Sequence, residues 1–150
     1  MANTSAVCTS FKVLLMKGQI DFTASTGDSF KIAMYDSDAT LAAATTDYST
    51  SEEITNTSGT GYTAAGAALT NITPVSSSTT AYTDFSDVSW TAASFTANAA
   101  LIYNTTTGTG TGTTDSVAAI AFGGDKTVSS GTFTIQFPAA AASTAILRIA

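Results

Sequence analysis

The fold this sequence predicts is mainly β: an antiparallel β-sandwich of about eight strands, a jelly roll being one form of it, with one short N-terminal helix. The stretch Ser116–Phe137 carries most of the argument, because two apolar runs, SVAAIAF and TVSSGTFTIQF, flank the glycine pair of GGDK. In the second run Phe133, Ile135 and Phe137 share one face and Thr132, Thr134 and Gln136 the other, the period-two pattern of a half-buried strand. The first run is apolar on both faces, which predicts a central strand. Gly123 and Gly124 can adopt the positive φ of a tight turn, which predicts a hairpin there. Further short apolar runs bounded by Gly, Pro, Asn and Asp recur along the chain, and no internal repeat of a solenoid or propeller is visible.

Taken in order, residues 1–9 are small and polar and predict a flexible arm, with residues 10–150 forming a single β-sandwich domain. Ser10 is placed to cap a helix from Phe11 to Ile20, whose stripe of Phe11, Leu14 and Leu15 falls at helical spacing. Thr23–Ser29 reads as a turn, and FKIAMY, Phe30–Tyr35, as a strand with Phe30, Ile32 and Met34 inward. Asp36–Thr50 is a long alanine-rich connection, Glu52–Ile54 a short strand, and Asn56–Gly66 a loop. Strands are expected at Ala67–Thr73, ended by Pro74, and at Ala81–Phe85, Val88–Phe95 and Ala99–Tyr103. The threonine and glycine tract Asn104–Thr114 cannot bury apolar area and predicts an exposed, flexible loop. After the hairpin, Pro138–Thr144 is a linker and Ala145–Ile149 a last strand suited to a sheet edge.

Charge is scarce. Charged residues make up 11% of the chain, five cations against eleven carboxylates, for a net charge of −6. An ordinary soluble domain carries about 25%. Hydroxyls and alanine must therefore form much of the exterior, a composition that suits surfaces held against other subunits, since interface centres are depleted in charge. The acidic balance and scattered cations argue against nucleic acid as a partner. No apolar run is long enough to span a bilayer and no basic n-region precedes an apolar core, so neither a membrane span nor an export signal is expected.

Chemistry is sparse too. The chain has no histidine, which removes the commonest general base and every imidazole triad. Its one cysteine, Cys8, has no histidine to activate it and reads as an inert thiol. GTGTG at 108–112 lacks the Lys-Ser/Thr of a phosphate loop. Asp36 with Asp38, Glu52 with Glu53, and Asp84 with Asp87 are carboxylate pairs that fall short of the about six to eight oxygens a hard cation takes. No catalytic, cofactor-binding or metal-binding residue, no cofactor and no small-molecule substrate is expected.

Four stretches also carry a resemblance: FGGDKTVSSGTFTIQFPAA (Phe122–Ala140), FKIAMYDSDATLAAATTDYST (Phe30–Thr50), GTGYTAAGAALT (Gly59–Thr70) and AYTDFSDVSWTAASFTANAALIYN (Ala81–Asn104). As a set they resemble a group of small virion proteins of tailed bacteriophages. The resemblance implies a structural subunit of a phage particle with no enzymatic residues. Together with the charge-poor surface it leads to the expectation of a homo-oligomeric capsid decoration or cement protein, located in the virion, that bridges major capsid subunits. Phe11, Leu14 and Leu15 on the helix and Ile146 and Arg148 on the last strand are the candidate interface. A tail, neck or fibre-attachment subunit is the alternative within the particle. A carbohydrate-binding sandwich, which would expose aromatic side chains on one face, is the alternative from another class.

Overall fold

The computed structural model describes residues 2–55, 59–106 and 112–150. The protein is mainly β, two antiparallel sheets with eight strands and one helix among the described residues. In chain order the elements are β1 (Ala6–Val7), α1 (Thr9–Met16), β2 (Phe30–Tyr35), β3 (Ala67–Ala68), β4 (Asn71–Ser77), β5 (Thr80–Phe85), β6 (Val88–Asn104), β7 (Ser116–Ile135) and β8 (Leu147–Ile149). The larger sheet runs β1-β7-β6-β2-β3 and the smaller β4-β5-β8.

Where local pattern was decisive, expectation and structure agree. β2 occupies Phe30–Tyr35 with Phe30, Ile32 and Met34 buried; Ala33 and Tyr35 are buried as well, because the strand is covered on both faces. The apolar half of β7 is central, paired to β1 on one side and β6 on the other. β8 lies at a sheet edge. Trp90 is in the core.

The helix is shorter than expected. It starts after Cys8, with Ser10 inside the first turn, and it stops at Lys17 because Gly18 takes φ 66°. Gly18 N–H donates to Leu15 O (3.0 Å) and Gln19 N–H to Leu14 O (3.0 Å), the paired closing bonds of a Schellman motif. Glycine is the residue that reaches that conformation without strain.

The expected free arm is built into the sheet instead. Asn3 accepts from Leu41 N–H (2.9 Å) and donates to Asp36 O and Asn98 Oδ1. Ala6 and Val7 pair with Ala119 and Ala118, and Cys8 is fully buried against β7, its N–H bonded to Val117 O. Polar side chains satisfy this segment where apolar burial could not.

GGDK is a bulge, not a hairpin turn. Both halves of β7 pair with the single long strand β6, Ala121 with Ala99 and Lys126 with Ala97, so four residues stand opposite Asn98 and the chain never reverses. Gly123 (φ 71°) and Gly124 (φ 139°) absorb the extra length, and Asn98 Nδ2 donates to Asp125 Oδ1 (2.9 Å). Likewise the two strands expected at Val88–Phe95 and Ala99–Tyr103 are one, interrupted by bulges at which Ala92 and Ser130 have positive φ. Pro74 does not end a strand: β4 runs through it at the irregularity between Ile72 and Val75, on a sheet edge where a missing N–H costs no ladder bond. Residues 107–111 of the threonine and glycine tract, and 56–58 of the preceding loop, lie outside the described residues.

The two sheets meet through aromatic rings. Phe22 stacks on Phe30 (4.7 Å), Phe30 meets Phe85 of the smaller sheet edge-on (5.6 Å), and Phe85 contacts Phe137 (5.7 Å). Phe11 joins this chain through Phe22 at 5.9 Å, which seats α1 at one end of the core.

Candidate functional site

A groove of about 870 Å³ separates α1 from the smaller sheet. Its sides are Phe11, Lys12 and Leu15 of α1, Ala6 and Val7 of β1, and Ile146 to Ile149 beside Thr80–Thr83 of β5. Four of the five expected interface residues, Phe11, Leu15, Ile146 and Arg148, therefore meet at one place although they lie at opposite ends of the chain. The fifth, Leu14, is turned into the core at 5% exposure. Phe11 is also almost fully buried, so only its edge contributes to the groove floor.

The C-terminal wall is held by local bonds. Asp84, buried in β5, accepts from Phe85 N–H (2.9 Å) and from Ile146 N–H (3.2 Å), and burial pushes its carboxyl above the usual range. Ala141 O accepts from Thr144 and Ala145, turning the expected linker into a tight bend. Arg148 Nη1 donates to Ser143 O (2.7 Å), which steadies an exposed guanidinium at the rim. β8 then pairs Leu147 with Thr83 and Ile149 with Ala81, leaving its other side unpaired as the sheet edge.

Of the exposed large apolar side chains among the described residues, Ile149 on β8 lines the groove, whereas Val13 and Met16 on α1 and Val75 on β4 do not. By contrast every Phe, Tyr and Trp is buried or half-buried, and half-buried Tyr82 lines the groove.

Two clusters were not legible in the sequence. Glu53, read there as one of a solvated carboxylate pair, is 6% exposed and gathers three donors: Tyr48 Oη (2.6 Å), Tyr62 Oη (2.7 Å) and Ala65 N–H (2.8 Å). Tyr62 Oη in turn accepts from Met34 N–H (2.9 Å), while Tyr103 stacks on Tyr48 (4.5 Å) and donates to Ala65 O. Burial, followed by the hydrogen bond to Glu53, raises the Tyr62 and Tyr48 phenols well above their ordinary value; burial lifts Tyr103 to about 12. Phenols so hard to ionise, with every polar atom engaged, make a structural lock for the loop carrying Tyr62, not an acid–base centre. Asp36, Asp38 and Glu52 bring carboxylate oxygens within 4.8 Å of one another, but Asp38 and Glu52 are exposed and Asp36 serves its own turn by accepting from Asp38 N–H. Cys8 is buried, and desolvation pushes its thiol up to about 11, so it is protonated and unreactive in the fold.

Fold and site together describe a two-sheet β protein with an open apolar groove between two sheet edges. No protein-family model, no curated protein and no solved structure matches the chain.

Proposed function

We propose that this protein is a structural subunit of a tailed-phage virion, a decoration or cement protein that binds the outside of the capsid as a homo-oligomer, bridges major capsid subunits and performs no catalysis. The observation that carries the reading is the exterior. A surface of 7434 Å² has five cations and, because Asp28, Glu53, Asp84 and Asp115 are buried, only seven of the eleven carboxylates to cover it, and Ile149, an exposed large apolar side chain, lines the groove. Charge depletion is what the centre of a surface held against protein looks like. Many weak contacts of this kind, repeated over a lattice, add up to lasting attachment without any strong single interface.

Copy number on purified particles is the direct test. A decoration protein occurs in proportion to the major capsid subunit and leaves heads under mild denaturant. A count matching the tail, with retention on purified tails, would move the protein to a tail, neck or fibre-attachment position. Absence from particles would end the virion reading.

A further inference from the structure

We propose that the groove receives an extended peptide segment of a neighbouring protein, laid along the free edge of β8, with apolar side chains on Val7, Leu15 and Ile146 and a carboxylate between Lys12 and Arg148. The assignment of that neighbour as a capsid subunit rests on the function proposed above; the chemistry of the occupant does not.

Three features select this occupant. The first is charge. In a chain of net charge −6, two of the five cations, Lys12 and Arg148, line this groove, and no Asp or Glu side chain does. The local sign is opposite to that of the molecule, so complementarity calls for an occupant bearing negative charge. Arg148 spends one nitrogen on Ser143 O and keeps its remaining donors for a ligand carboxylate.

The second is the backbone. Edge strands of two different sheets, β1 and β8, line the same groove. β8 is bonded to β5 on one side only, and Ile149, 63% exposed, stands on it. β8 itself has no proline, and the bulges among the described residues lie elsewhere, in β4, β6 and β7. Natural edges are usually blunted by proline, bulges, shortness or charge, and β8 relies on the last two, being three residues long with Arg148 at its centre. A short open edge beside apolar pockets can still take an added strand, with few main-chain bonds, so that affinity comes chiefly from the side-chain pockets and the two cations. The third is size: about 870 Å³ lies within the range of about 300–1,000 Å³ that binding clefts occupy.

Fluorescein-labelled octapeptides in which Val alternates with Glu, Thr or Lys test this by anisotropy on the full chain, with hydrogen exchange read at Leu147–Ile149. The Glu series is expected to bind about tenfold or more tightly than the Lys series and to slow exchange at β8. Lys12→Glu with Arg148→Glu should reverse that preference. Ile146→Asp should weaken every series, and should it fail to fold, the charge reversals at two exposed positions still decide the matter. Equal binding of the Glu and Lys series, binding by neither, or saturable dodecanoate binding with all peptides silent would each overturn the proposal, the last in favour of an amphiphile. Particles that retain the double charge-reversal variant while the peptides still discriminate would remove the groove from capsid attachment and leave the peptide site standing.

Discussion

Replacing Glu53 is the sharpest perturbation of the fold that holds the groove's scaffold together. The carboxylate is buried and accepts from Tyr48 Oη, Tyr62 Oη and Ala65 N–H. Glu53→Ala strands these donors. The Tyr62 hydroxyl, on a residue 1% exposed, cannot reach water and costs about 1–3 kcal/mol. Tyr48 and Ala65 are half-buried, so water recovers part of their loss, at about 0.5–1.5 kcal/mol each. Removing the carboxylate also removes its own desolvation cost, which returns part of the total. The net expectation is about 2–4 kcal/mol of destabilisation, a large fraction of an ordinary domain's stability. Urea unfolding followed by Trp90 fluorescence is the assay, since Trp90 is the only tryptophan and lies 6.1 Å from the Tyr62 ring. A double-mutant cycle with Tyr62→Phe should return a coupling of about 1–2 kcal/mol. A Glu53→Ala protein within about 0.5 kcal/mol of wild type, or a coupling near zero, would refute the reasoning.

Other consequences follow from single residues. Gly66 has φ 72° and a Cβ there would collide with the Ile32 carbonyl, so Gly66→Ala should cost about 3 kcal/mol or more, whereas Gly123→Ala, with open space around it, should cost only about 1 kcal/mol of backbone strain; thermal unfolding compares them. Asp84 has its folded pKa raised by burial above the ordinary 3.8, so its contribution is fully present below that value and is lost as pH rises through the folded pKa. Wild-type stability should therefore fall relative to Asp84→Asn on going from about pH 3 to about pH 7, and a difference independent of pH would contradict the buried placement. Cys8, with its thiol pushed up to about 11, should ignore a disulfide reagent near neutral pH in the native protein and react at once in denaturant. Rapid native labelling would show that the β1 segment opens.

Alternation made β2, the apolar half of β7 and the half-buried Phe133–Phe137 face readable from the sequence, because period-two burial is a local property of a strand. The lack of histidine and the poverty of charge were equally plain. The Schellman stop at Gly18 was there to be read in LLMKGQ, but apolar spacing carried the helix past it. The remainder depended on partners distant in sequence. Whether Gly123–Gly124 is a turn or a bulge is settled by what each flank pairs with, and both flanks pair with β6. Glu53 looks like any loop carboxylate until Tyr48, Tyr62 and Ala65 converge on it. Phe11, Leu15, Ile146 and Arg148 could each be named as surface candidates from their own elements. Only the pairing of β8 with β5 and the seating of α1 on the aromatic core made them one groove, since neither register nor docking is encoded within any single stretch of the chain.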